Sequence, residues 1–196
     1  QSVIAAYVMA TGGGGMVPQS PSAGRIWARS LQRQIEMIRW LQSPQGPIAG
    51  GVTNSYNDRY ATVTGRNGAK FYGMDYVYSP VWGDPPSNNW VGFQGWGHSR
   101  TADLLLEVSN ATNTLAVSIR PNLEIILDRL VGWFIRESDT SSPTSFKIPA
   151  ELSWVQTTAG NGTTISSTSI TEYLVDGSTR QVYEKIPTLN WDYTGN

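Results

Sequence analysis

Apolar side chains recur at three- and four-residue spacing through Trp27, Leu31, Ile35, Ile38 and Leu41, while Arg25, Arg29, Arg33 and Arg39 fall largely off that line. The spacing predicts an amphipathic helix from about Ser22 to Ser43, ended by Pro44, Gly46 and Pro47. A second stripe, Leu123, Ile126, Leu127, Leu130 and Phe134, predicts a helix over Asn122 to Glu137, with Pro121 read as its start. Val3 to Met9 is apolar on every side and reads as the end of a buried helix, stopped by the run Gly12-Gly13-Gly14-Gly15. Trp90 to Ser109 completes the helices, although Gly92, Gly95 and Gly97 weaken its first turns.

Between these helices, Ile48 to Asn89 has no helical period. It reads as a long loop region with short strands at Tyr60 to Val63 and Lys70 to Tyr72 around Asn67-Gly68. A loop of that length inside a compact domain is usually functional. After Ser138 the chain turns polar, and Ser, Thr and Gly dominate Gln156 to Thr171. This tail predicts loop with a hairpin, loosely packed from about Thr157 to Thr188. So few helices, joined by long loops, do not easily cover their own apolar stripes. The expectation is an incomplete fold in which the Trp27–Leu31–Ile35–Ile38 and Leu123–Leu127–Phe134 stripes stay partly exposed, awaiting helices outside this chain.

Composition narrows the partners. A net charge of −1 and scattered Lys and Arg give no electrostatic footprint for nucleic acid. No run approaches the roughly 18 apolar residues that span a bilayer, so no membrane partner is expected. The chain contains no Cys and does not begin with Met, which suits a processed protein or an internal piece of one.

The informative excess is aromatic: the chain has 8 Trp and 9 Tyr. Phe71, Tyr72, Tyr76, Tyr78, Trp82, Trp90, Phe93 and Trp96 crowd into one stretch whose formal charges are Asp75 and Asp84. A sugar ring has apolar C–H faces and a hydroxyl rim, so a cleft for it needs flat aromatic platforms beside polar groups. That stretch has the mixture, although large rings fill ordinary cores as well. Trp90 and Trp96, six residues apart, would not share a face of a regular helix. The intervening glycines leave their relative direction open.

Spelling is more specific than composition. Arg39-Trp40-Leu41-Gln42-Ser43 and Gly46-Pro47-Ile48-Ala49-Gly50-Gly51-Val52-Thr53-Asn54-Ser55 resemble a block found in the cellulases of glycoside hydrolase family 48. Phe71-Tyr72-Gly73-Met74, then Asp84-Pro85-Pro86-Ser87-Asn88 with Trp90, Gly92-Phe93-Gln94 and Trp96, continue the likeness. Phe146-Lys147-Ile148-Pro149 with Leu152 and Trp154 closes it in the same order. Tyr56, Gly97 and Ser99-Arg100 depart from the family's usual residues, and the segment 155–192 reads as a loop insertion before Tyr193-Thr194-Gly195-Asn196.

The resemblance implies a mainly α chain, residues 1–196 forming part of a single (α/α)6 barrel domain with aromatic-rich loops. It also implies a secreted, extracellular enzyme that releases cellobiose from cellulose by cleaving β-1,4-glucosidic bonds with inversion. Inversion uses a carboxylic acid and a carboxylate base about 6.5–9.5 Å apart. The family's acid and base both lie upstream of these blocks, so no catalytic residue is expected in this chain, and the partner it lacks is the remainder of its own domain. What carries over is cleft binding by Trp90, Trp96 and Trp82, with Asn54 beside them. Asp84 matches a ligand of a structural calcium, and no cofactor is required for the chemistry. The alternatives are a non-catalytic carbohydrate-binding paralogue and a chitin-active member. His98, the one histidine, reads as a structural hydrogen-bonding group, and Glu36 as a solvated or ion-paired residue of its helix face. Asp58 and Asp75 have no spacing that makes them an acid/base pair.

Overall fold

The computed structural model describes residues 2–43, 45–48, 50–53, 70–72, 74–77, 90–156, 170–173, 179–182 and 191–195. These are mainly helical. Helix α1 (Val3–Thr11) ends where Gly12 turns left-handed at φ 78° and donates its N–H to the Val8 carbonyl, 2.9 Å away. Helix α2 (Pro21–Leu41) starts on a Ser20 cap whose hydroxyl accepts from the Ala23 N–H at 3.1 Å, with Pro21 in the first turn where its missing N–H is harmless. Helices α3 (Val91–Val108) and α4 (Thr114–Glu137) follow, joined by a short link.

The α4 start corrects the reading of Pro121, which lies inside the helix, not at its beginning. Asn113 supplies the true cap, its Oδ1 accepting from the Ala116 N–H at 2.9 Å while its Nδ2 donates to the Tyr7 hydroxyl at 2.8 Å. Proline removes one helical donor, to the Val117 carbonyl. Both residues are solvent-exposed, so water can replace that bond. Arg120 then ties α4 to the end of α3, donating to the carbonyls of Val108 (3.0 Å) and Ala111 (2.6 Å).

The helices pack in the pairs α1–α2, α1–α3, α2–α4 and α3–α4 around one core. Leu31, Ile35 and Trp40 of α2, Leu104 and Val108 of α3, and Ile119, Leu123 and Ile126 of α4 meet there. Full burial of each large apolar side chain contributes about 1.5–3 kcal/mol. The α2 stripe is therefore not left exposed, as its sequence had suggested. Leu31, Ile35 and Ile38 are buried and Trp27 is packed against the core, because α1 and α4 cover the faces that the sequence left unpartnered. The other stripe divides: Leu123 is buried, Leu127 is half-buried and Phe134 is exposed. Val117, Val131, Ile135, Phe146 and Ile148 are exposed as well.

Three short antiparallel strands, β1 (Gly51–Thr53), β2 (Lys70–Phe71) and β3 (Met74–Val77), form a sheet in the order β1-β3-β2. Lys70–Phe71 is a strand, but it turns at Tyr72 and pairs with Met74–Val77, with Phe71 opposite Met74. Tyr72 carries the left-handed turn at φ 48°, uncommon for an aromatic. The Arg33 guanidinium lies 4.4 Å from its ring centre, and its hydroxyl donates to Glu36 Oε2 at 2.9 Å. Glu36 thus holds the hairpin from α2 through a part-buried hydrogen bond, where the sequence had suggested a solvated or ion-paired face residue. The expected strand at Tyr60 to Val63 lies outside the described residues.

In the tail, β4 (Ser153–Gln156) pairs with β7 (Trp191–Gly195), and β5 (Ile170–Tyr173) pairs with β6 (Thr179–Val182) as a hairpin. The chain between β4 and β7 thus departs and returns through one antiparallel ladder.

Candidate functional site

Trp90 and Trp96 meet at the start of α3. Trp90 is extended (φ −109°, ψ 126°) and precedes the helix, its backbone bridged to Glu151 while the Val91 N–H donates to the Ala150 carbonyl at 3.1 Å. Its ring folds back across the first turn over Gly92, where an added Cβ would lie 2.2 Å from Trp90 Cζ2. Only glycine leaves that room. The fold-back brings the ring centres of Trp90 and Trp96 to 5.1 Å at an interplanar angle of 86°, edge to face. Two residues that a regular helix would point apart are thereby one aromatic unit, and both stay accessible, 37% for Trp90 and 62% for Trp96. Such pairs contribute about 0.5–1.5 kcal/mol beyond area burial, so each ring holds the other's direction.

On the buried side of the same helix, the stripe begins with polar residues: Gln94, His98 and Thr101 precede Leu104 and Val108. Gln94 Oε1 accepts from the Ile48 N–H at 2.6 Å and its Nε2 donates to the Ile48 carbonyl at 2.9 Å. A second glutamine works from the other side: Gln42 Nε2 donates to the carbonyls of Gly46 and Ile126, both at 2.8 Å. Ser43 closes the loop, its hydroxyl donating to the Pro47 carbonyl at 2.9 Å. The segment that enters β1 is therefore held by side chains of α3 and of the α2 end. Sequence reading missed both glutamines. The available signal was position, since Gln94 sits on the helical period of the buried stripe and a polar group there must find a partner.

His98 Nδ1 lies 2.6 Å from the Gln94 carbonyl, which fixes the tautomer with Nδ1–H donating. Burial pushes its pKa below the ordinary value of 6.5, opposed in part by that backbone hydrogen bond. This is a structural imidazole, as its sequence context suggested. The consequence for stability has a definite sign. The folded protein keeps His98 neutral while the unfolded chain protonates it below about pH 6.5, so the unfolded state binds more protons as pH falls. Stability is expected to hold above pH 6.5 and to decline below it, until the lowered folded pKa is reached. Denaturant midpoints measured between about pH 7.5 and 5 should show this slope, and His98→Gln should flatten it. An unchanged slope in the variant would assign the decline to other groups.

Asn54, Trp82 and Asp84 lie outside the described residues, as does Asp58. Thr53, which precedes Asn54, pairs with Asp75 in the β1–β3 ladder. Calcium takes six to eight oxygen ligands. Among the described residues no three His, Asp or Glu side chains gather to hold a metal, so no chemistry is derived through one. Among them, too, no helix is long and apolar enough to cross a membrane. A cleft of about 410 Å³ opens between α2 and the β2–β3 hairpin, lined by Arg29, Arg33, Gln34, Met37, Phe71 and Tyr72 among others. It lies at a different place from the tryptophan pair.

Residues 1–178 match the family model described as glycosyl hydrolase family 48. Exoglucanase B of Cellulomonas fimi is 40% identical over 154 residues, covering 79% of this chain and 13% of that protein. Endoglucanase F of Ruminiclostridium cellulolyticum is 38% identical over 154 residues, 79% of this chain and 20% of its own length. A reducing-end cellulose 1,4-beta-cellobiosidase of Acetivibrio thermocellus is 37% identical over 137 residues, 70% of this chain and 17% of its own. The chain thus spans a fifth or less of the curated relatives it matches.

Proposed function

The chain belongs to glycosyl hydrolase family 48, and from that premise we propose that it is part of a secreted cellulase and forms a saccharide-binding surface within it. The observation that carries the reading is the exposed, edge-to-face Trp90–Trp96 pair, inside the matched residues and at the start of a helix whose buried residues are anchored in the core. An exposed indole face stacks on the apolar C–H face of a glucosyl ring, and neighbouring polar groups take its hydroxyls. In this reading Asn54 and Trp82 are further saccharide-binding residues, and Asp84 is a ligand of a structural calcium. The four helices form one part of an (α/α)6 barrel completed by the rest of the polypeptide.

In this reading the whole enzyme cleaves β-1,4-glucosidic bonds of cellulose to cellobiose with inversion. Its acid and base lie outside this chain, and no described residue takes either role. The chain's own contribution is to bind and orient sugar on the product side of the cleft, so that chemistry elsewhere acts on a held substrate.

The test is Trp96→Ala in the full-length protein, with affinity for cello-oligosaccharides and thermal stability measured together. Affinity is expected to fall by about 1–3 kcal/mol while stability changes little, because the ring is more exposed than buried. Unaltered affinity would remove the pair from the binding surface. Retained binding without any hydrolysis would instead favour a non-catalytic paralogue, and preference for chito-oligosaccharides would move the substrate to chitin.

A further inference from the structure

Gln94 is 2% exposed and spends its whole amide on one distant residue, satisfying both the N–H and the C=O of Ile48, 46 positions earlier in the chain. Two hydrogen bonds to a single residue fix both translation and rotation, whereas an apolar contact tolerates sliding. Ile48 is itself buried, so water does not compete for these groups. The two ends of this link are not arbitrary. Ile48 leads into β1, after which comes Asn54, and β1 pairs with β3, from which the chain runs through Trp82 and Asp84 to Trp90. Gln94 stands in the turn of α3 between Trp90 and Trp96, and its own carbonyl is taken by His98.

We propose that Gln94 is a positioning residue for saccharide binding, setting the place of the sheet segment entered at Ile48 relative to the Trp90–Trp96 pair. It touches no sugar; it acts by holding the segment entered at Ile48 and the aromatic platform in one geometry. This rests on the reading of the tryptophan pair as a saccharide platform.

The experiment uses the full-length protein and three variants, Gln94→Met, Trp96→Ala and the two combined, titrated with cello-oligosaccharides well below their melting temperatures. Methionine keeps the volume and removes both hydrogen bonds. Gln94→Met is expected to weaken binding roughly tenfold, as loss of one to two buried hydrogen bonds implies, and to raise KM while leaving kcat in place. In the Trp96→Ala background the same change should weaken binding by less than about twofold, because the geometry it protects is already lost. A core defect unrelated to binding would lower the melting temperature and leave affinity alone. Unchanged affinity in Gln94→Met, or the same loss in both backgrounds, overturns the proposal while leaving the platform intact. Unchanged affinity in Trp96→Ala overturns the platform reading, and the proposal with it. Should Gln94→Met not fold, amide exchange in the unaltered protein decides: protection of the Ile48 N–H should rise on saccharide binding, and unchanged protection overturns the proposal.

Discussion

Gly46→Ala is expected to destabilise the protein by about 2–5 kcal/mol, from backbone strain and steric overlap together. Gly46 sits at φ +134°, a region that residues with a Cβ rarely enter. An added Cβ would lie 2.4 Å from the Arg129 carbonyl oxygen and 2.6 Å from Trp133 Cβ, so the obstacle is α4 itself and not the tip of a flexible side chain. The loop also cannot move aside freely, because Gln42 and Ser43 hold its carbonyls at Gly46 and Pro47. Gly95→Ala is the control. Its Cβ would meet nothing within 4 Å, and a helical alanine should be neutral or gain up to about 1 kcal/mol. Denaturant unfolding of both variants checks the pair, and a Gly46→Ala midpoint close to that of the unaltered protein would contradict this packing of the loop on α4.

Trp40→Ala should cost about 3–5 kcal/mol of stability, the range for removing a fully buried tryptophan. Trp40 has no exposed surface and its ring centre lies 5.5 Å from that of Phe71, so it joins α2 to the β2–β3 hairpin. Collapse around the gap would be resisted on the hairpin side, where Arg33 and Glu36 already hold Tyr72. The same substitution at Trp96 removes a ring that is mostly in water and is expected to act on affinity. Guanidinium unfolding and oligosaccharide titration of both variants should therefore give opposite patterns. A loss below about 1 kcal/mol at Trp40 would mean that the ring is not the core element described here.

Much of the scaffold was legible because its causes are local. The Trp27–Leu41 period and the glycine run after Thr11 each act over a few turns, and α1 and α2 formed where those signals stood. Pro121 misled for the same reason: read locally, it is a good helix start, but the Asn113 cap lies earlier and is reinforced by its bond to Tyr7 on α1. The motifs around Trp90 and Trp96 were also readable, since spelling needs no coordinates.

By itself, then, the sequence determined the helices, the family and the two tryptophans worth testing, because periodicity, capping chemistry and spelling are properties of neighbouring residues. The tertiary structure alone decided which side of each helix is covered, that Trp90 folds over Gly92 to meet Trp96, and that Gln94 reaches Ile48. A polar residue's partner across 46 positions depends on the path of the chain between them, and no local preference encodes that path.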